Sequence, residues 1–136
     1  MSTVPYLVNN VYEIWSNAVK EKVGNNYSMK RSEVVNKLPY ASCYFMGFPT
    51  TKTDLEGNEL AVTPSVQIDI YANGQKALST VYEIDELSHK AMISMGFKRT
   101  FGAELMQNLS DETITRLTST YSRVVGGGDT IRVINE

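Results

Sequence analysis

The segment from Ala61 to Phe101 constrains the fold more than any other part of the chain, because it reads as strand, turn, helix and strand in direct succession. In its first part, Val66, Ile68 and Ile70 alternate with polar neighbours such as Asp69. This period of two is that of a strand with one face in a core and the other face polar. A polar sheet face on a small domain is a surface that contacts water, a ligand or another subunit.

The rest of this segment predicts a helix from about Gln75 to Met95 that ends at Gly96, followed by a strand from Phe97 to Phe101. Glycine readily adopts the left-handed conformation that terminates a helix. Apolar residues recur along the helix at the spacing of one face, and they are Ala77, Val81, Ile84, Ala91, Met92 and Met95. In the strand, Phe97, Arg99 and Phe101 are predicted to share a face.

Helical spacing of apolar residues from Leu7 to Val19 predicts an earlier helix, which ends near Gly24. We expect the segment from Tyr27 to Leu38 to be mostly irregular. A central strand over Tyr40–Phe48 then leads to a strand over Ala61–Tyr71. The polar segment between them, Pro49 to Glu59, is predicted to be the long, solvated tip of a hairpin that orders on assembly.

A further strand is predicted over about Thr115–Val125. In the C-terminal segment, residues 126–136, two alternatives remain open: Asp129–Ile134 adds a short edge strand, or the segment is mobile. Neither an internal repeat nor a domain boundary is visible, so residues 1–136 are interpreted as one domain. The order α-β-β-α-β-β predicts an α+β fold. We expect a two-layer sandwich, with a mainly antiparallel sheet and two helices packed on one face.

Composition excludes several classes of function. The chain has 136 residues, 42% hydrophobic residues and a net charge of −2, which are ordinary values for a globular domain and give no general attraction to nucleic acid. A single cysteine forbids an internal disulfide. The first ten residues lack the features of a signal peptide, and no apolar run could span a membrane. We therefore expect assembly and function in the cytoplasm, or in a particle assembled there.

No residue pattern for catalysis, cofactor binding or metal binding is found. The one histidine, His89, has only Asp85 as a helix neighbour, and a structural or surface role is expected. Cys43 lies on the apolar face of a strand and is interpreted as a small buried hydrophobe. The glycines at 126–128 lack the frame of a phosphate-binding loop. These observations favour a scaffold or assembly protein over an enzyme.

Charged residues on the sheet are instead candidates for contacts between subunits. Asp69 sits mid-strand on the polar face, and it is either the partner of a cross-strand arginine or part of an interface. Arg99 is predicted to share that face. Ion pairs within the subunit and interface contacts both remain open for these arginines. The candidate interface residues are Asp69, Arg99, Arg116, Arg123, Asp54 and Glu56.

The order of elements and several short phrases resemble the tail terminator (tail completion) proteins of tailed bacteriophages and phage-tail-like particles. The phrases are VYEIW, LPYASCYF, VQIDIYANG, MGFKRTF and DETITRLTSTYSRVV. The resemblance implies an α/β subunit that forms a ring, commonly a hexamer. Such a ring caps the finished tail tube, stops its polymerisation and docks the head connector. It implies self-association, contacts with tube, sheath and connector proteins, a place in the virion and no catalytic residues.

Two alternatives remain. One is another neck or head–tail joining component. The other is a small-molecule-binding α+β domain that uses the polar sheet face as the floor of a pocket.

Overall fold

The computed structural model describes residues 4–30, 37–47, 50–53, 59–106 and 113–126. These residues form an α+β fold with two helices and eight strands. In chain order the elements are α1 (Val4–Val23), β1 (Tyr27–Ser28), β2 (Tyr40–Gly47), β3 (Thr50–Thr53), β4 (Glu59–Val62), β5 (Ser65–Asn73), α2 (Ala77–Ser94), β6 (Lys98–Met106), β7 (Ile114–Ser122) and β8 (Val125–Gly126).

The larger sheet is mixed and has five strands in the order β1-β2-β5-β7-β6. Strand β1 pairs with β2 in parallel, whereas the pairs β2–β5, β5–β7 and β6–β7 are antiparallel. A smaller sheet has the order β3-β4-β8, and both of its pairs are antiparallel. The order predicted from the sequence contains the two helices and the four longest strands, and it omits β1, β3, β4 and β8.

The structure adds detail to two predictions near the start of the sheet. Within the segment Tyr27 to Leu38, which was expected to be mostly irregular, Tyr27–Ser28 forms the short strand β1, and the Ala41 N–H donates to the Asn26 carbonyl oxygen at 3.1 Å. The strand expected over Ala61–Tyr71 is two strands, because β4 ends before Thr63 and Pro64. Proline has no N–H to donate to a ladder, so it commonly marks such a break.

The core lies between the helices and the sheet. Val66, Ile68 and Ile70 are buried in one cluster with Trp15 of α1 and Ile84 of α2, which confirms the predicted core face of the strand. The Trp15 indole N–H donates to Ser88 Oγ at 2.9 Å and joins the two helices at their contact. Neither helix in the described part of the chain has the length and apolar character that a bilayer crossing requires.

Both helices end where glycine was predicted to end them. Gly24 has a φ of 62° and Gly96 a φ of 86°, values that favour glycine over any other residue. At the end of α2, Arg123 Nη1 donates a short hydrogen bond to the Met95 carbonyl oxygen. This side chain from the segment after β7 therefore satisfies a carbonyl group that the helix leaves unpaired.

Strand β6 is irregular at Gly102. Its register with β7 shifts between Arg99 and Phe101 and again between Phe101 and Glu104. Arg99 lies opposite Tyr121 and Phe101 opposite Thr120, so the two side chains lie on opposite faces and the prediction that they share one is wrong. A Cβ atom at Gly102 would come within 2.3 Å of the Thr118 carbonyl oxygen, so only glycine fits this close approach.

The predicted hairpin between β2 and β5 contains the antiparallel pair β3–β4. Its tip, residues 54–58, lies outside the described residues, and so do the candidate interface residues Asp54 and Glu56. The C-terminal segment lies outside them from residue 127 onward.

Ile68→Ala should lower the free energy of unfolding by about 2–5 kcal/mol, because Ile68 is fully buried and its truncation leaves a cavity. Ile93 is exposed on α2, and Ile93→Ala is the matched control, with an expected change below about 0.5 kcal/mol. Urea denaturation of both variants measures the difference. Equal losses in the two variants would contradict the assignment of the strand's faces.

Candidate functional site

The strand register places charged side chains on both faces of the five-stranded sheet. The helix face carries Val66, Ile68 and, opposite Val66, Tyr121 of β7. The second face carries Asp69, which lies between Ser42 of β2 and Thr118 of β7. Each face has one polar cluster.

The Asp69 cluster consists of Asp69, Tyr44, Gln67, Arg116 and Thr118, and its carboxylate is fully buried. Asp69 Oδ1 accepts hydrogen bonds from Thr118 Oγ1 at 2.6 Å and from Arg116 Nη2 at 3.2 Å. Asp69 Oδ2 accepts from the Tyr44 hydroxyl at 3.3 Å and from Gln67 Nε2 at 3.3 Å. A buried charge is tolerated only when it is paired and hydrogen bonded, and this carboxylate has both kinds of partner.

These contacts define what Asp69 can do. Its two oxygens are occupied by donors from three strands, so the side chain links β2, β5 and β7 on the second face. A contact between Asp69 and a neighbouring subunit would require the cluster to open.

The arginine beside Asp69 is Arg116, and the expectation that Arg99 shares its face is wrong. Arg116 also lies over the Tyr71 ring, with its Cζ atom 6.0 Å from the ring centroid. Arg99 lies on the helix face, where it pairs with Asp85. The sequence predicted a cross-strand arginine as one possible partner of Asp69. Which arginine lies beside Asp69 depends on the register between β5 and β7.

The Tyr121 cluster consists of Tyr121, Arg99, His89 and Asp85, and it joins α2 to β6 and β7. The fully buried Tyr121 hydroxyl oxygen accepts from Arg99 Nε at 3.0 Å and from Arg99 Nη2 at 2.7 Å. Arg99 Nη2 also donates to Asp85 Oδ1 at 2.7 Å. His89 Nδ1 lies 2.9 Å from the same hydroxyl.

This geometry assigns the tautomer of His89. Arg99 has only donors and supplies two of them to the phenol oxygen, so the phenol proton is left to point at His89 Nδ1. His89 Nδ1 is then an acceptor, and the neutral ring carries its proton on Nε2. Sequence reasoning found only Asp85 as a neighbour of His89 and missed Tyr121, because no local pattern links residues 32 positions apart.

The pKa values of the cluster suit a structural contact. Burial raises the pKa of the Tyr121 phenol to about 12, although the Arg99 cation opposes the rise. Burial lowers the pKa of His89, the Arg99 cation lowers it further, and Asp85 opposes both. The phenol thus keeps its proton and the imidazole stays neutral near pH 7, which are the protonation states that a hydrogen bond from the phenol to Nδ1 requires.

Cys43 and Arg123 also make contacts within the subunit. Cys43 is fully buried as predicted, and burial raises the pKa of its thiol, which opposes formation of the reactive thiolate. Arg123 is bound to the end of α2, as described above. Asp69, Arg99, Arg116 and Arg123 therefore all have partners within the subunit.

A cleft of about 400 Å³ lies between α1 and α2 on the surface of the helix layer. Its lining residues are Ile14, Asn17, Ala18, Glu21, Leu87, Lys90, Ala91 and Ser94. Across the described part of the chain, no group of three or more potential metal-ligating side chains is brought together.

A scan of the chain against protein-family models finds no matching family, and a search of curated proteins finds no match.

Asp69→Ala should destabilise the fold by about 3–5 kcal/mol, because it removes a fully buried carboxylate with four donors and leaves the mostly buried Arg116 guanidinium without its partner. Arg116→Ala should have a comparable cost, and the double variant should lose less than the sum of the two single losses. The control is Lys90→Ala in the exposed pair Glu86–Lys90, with an expected cost below about 0.5 kcal/mol. Additive losses in denaturant titrations would show that Asp69 and Arg116 are not coupled.

The stability of the protein should fall in mild acid because of His89. Its pKa is lowered on folding, so the unfolded chain takes up the proton first, and this contribution to stability is lost as pH falls below about 6.5. His89→Gln keeps an acceptor for Tyr121 but cannot titrate. Unfolding free energies between about pH 7 and about pH 5 should therefore fall more steeply for the wild type than for His89→Gln. Parallel pH profiles would refute this role of the only histidine in the chain.

Proposed function

We propose that this protein is a structural subunit of a phage or phage-tail-like particle, a tail terminator. Its ring, commonly a hexamer in the family that the sequence resembles, caps the head-proximal end of the tail tube. The ring stops polymerisation of the tube and presents the docking surface for the head connector. Assembly takes place in the cytoplasm of the bacterial host, and the finished subunit belongs to the virion. The resemblance of the sequence to tail terminators motivates this proposal.

The observation that carries the proposal is a set of three exposed apolar side chains on α2. Leu78, Tyr82 and Ile93 are each about half exposed, although they are large apolar or aromatic residues. Leu78 and Tyr82 are about one turn apart, and Ile93 lies about three turns further along the helix, beyond Asp85 and His89 of the Tyr121 cluster. The adjacent Leu78 and Tyr82 form an apolar surface of the kind that contacts another protein, and this supports a subunit that is completed by neighbours.

The two polar clusters support the same proposal. A ring subunit has to transmit force and keep its shape while different patches contact adjacent subunits. Asp69 holds three strands together on the second face, and Tyr121 holds α2 to the sheet on the helix face. In both clusters the polar groups are used for internal contacts.

For the architecture, we infer a two-layer sandwich with the order α-β-β-α-β-β for its main elements. The buried contacts of α2 with Tyr121 and of both helices with the cluster around Ile68 support a single helix layer on one sheet face. In this arrangement α2 is accessible from outside the subunit.

Of the two alternatives, another neck or head–tail joining component fits the same surface and differs in its partners. A small-molecule-binding domain with a pocket on the second face is less well supported, because the carboxylate at the centre of that face is fully buried and bonded. The cleft between α1 and α2 lies on the helices and not on that face of the sheet.

Particles assembled without this protein should have tails of uncontrolled length or tails that fail to join heads. Complementation with Tyr82→Asp or Ile93→Asp should reproduce this defect with folded protein, because each replaces an exposed apolar side chain of α2 with a charge. Asn9→Asp adds the same charge to the exposed face of α1 and should complement fully. Electron microscopy of the particles gives the result. Correct, head-joined tails in the complete absence of the protein would defeat the terminator assignment.

A further inference from the structure

Strand β6 is an edge of the five-stranded sheet. It has nine residues and lies last in the strand order, with β7 on one side. Among the described residues, no strand pairs with its other side. Backbone N–H and C=O groups along such an edge are unpaired, and they form a template for a second strand.

The side chains of β6 form a symmetric pattern on the second face. Lys98 lies opposite Ser122, Phe101 opposite Thr120 and Glu104 opposite Thr118. These three partners alternate along β7 and share a face, so Lys98, Phe101 and Glu104 share it as well. The register shifts on either side of Phe101 bring this about. A cation and an anion thus flank a central aromatic ring at equal separations, and all three side chains are exposed.

We propose that β6 pairs with β6 of a second copy of this chain, antiparallel, about a two-fold axis beside Phe101. In such a pair, residues at equal distances from Phe101 lie opposite each other. Lys98 then faces Glu104 of the partner subunit, and Glu104 faces Lys98 of the partner subunit. The two Phe101 rings meet at the axis. Opposite charges and aromatic pairs directly across an antiparallel ladder are stabilising, whereas like charges there are destabilising.

The other positions between Lys98 and Glu104 are compatible with this register. Arg99 lies opposite Ala103, and both belong to the helix face, where Arg99 bonds Tyr121 and Ala103 packs on the core. Thr100 lies opposite Gly102, which has no side chain and therefore leaves room at the centre of the pair. Charge, face and side-chain size are all self-complementary in this one register.

The charge pattern selects a second copy rather than an unrelated strand. Lysine and irregular geometry usually protect an edge from pairing, because they penalise most registers and most partners. Here the same features permit one register with a copy of the chain. A two-fold contact uses the same patch on both copies and closes on itself, so it covers the edge without forming a fibre. The pairing does not depend on the proposed ring.

Sedimentation equilibrium of the purified full chain tests the pairing. The wild type should form dimers in a concentration-dependent equilibrium with monomers, because an interface made by one pair of strands is small. Lys98→Glu and Glu104→Lys should each weaken the dimer at least about tenfold, because each converts both symmetric ion pairs into like-charge contacts. The double variant Lys98→Glu/Glu104→Lys exchanges the charges and should restore the dimer to within about threefold of the wild type.

Two further variants complete the test. Phe101→Ser should weaken the dimer without changing the circular dichroism spectrum, since Phe101 is exposed in the subunit. Lys30→Glu makes the same charge change at an exposed site away from β6 and should leave the dimer unaffected. A wild type that stays monomeric, a dimer insensitive to both single reversals, or a double variant that remains monomeric would each overturn the proposal. The proposed tail function is tested on α2 in assembled particles, so the two proposals can fail separately.

Discussion

The position of helix α2 on the sheet depends on the hydroxyl group of a buried tyrosine. A phenol in a core must be hydrogen bonded, and the Tyr121 hydroxyl meets this requirement with partners from two other elements. Arg99 of β6 donates a hydrogen bond to its oxygen. His89 Nδ1 of α2 accepts a hydrogen bond from the hydroxyl group. Asp85, also on α2, then balances the Arg99 cation. Displacement of α2 relative to β7 would leave several of these groups buried without partners, so the network defines one position for the helix.

The opposite face of the sheet meets the same requirement with a different residue. There the buried group is the Asp69 carboxylate, and its donors come from β2, β5 itself and β7. Apolar packing around Ile68 disfavours a shift by one residue, which would turn the apolar side chains to the other face, but it discriminates less against a shift by two. Two buried polar groups with directional partners disfavour that shift as well, because it would separate each group from its partners. We infer that the clusters contribute more to a unique structure than to net stability.

Local patterns in the sequence were sufficient for the α+β class, the two helices and the burial of Ile68 and Cys43, since each depends on periodicity within one element. They were insufficient for the clusters. Phe101 lies on the face opposite to the predicted one, because the register of β6 with β7 shifts on either side of it. Asp69 pairs with Arg116 because strands that are distant in sequence lie side by side. The sequence thus identified the charged strand residues of the candidate site. Which of them pair with each other could be read only from the register of the strands.

The hydrogen bond from Arg123 to the Met95 carbonyl oxygen has a consequence for local opening. The last turn of a helix ordinarily frays by itself, at little free-energy cost. Here its carbonyl group is held by a side chain that follows directly on β7, a central strand of the sheet. Opening of this turn is thereby linked to the end of β7, and amide protons on both elements should exchange with solvent as one cooperative unit. The C-terminal end of α2 then belongs to the slowly exchanging part of the molecule, in contrast to an isolated helix end.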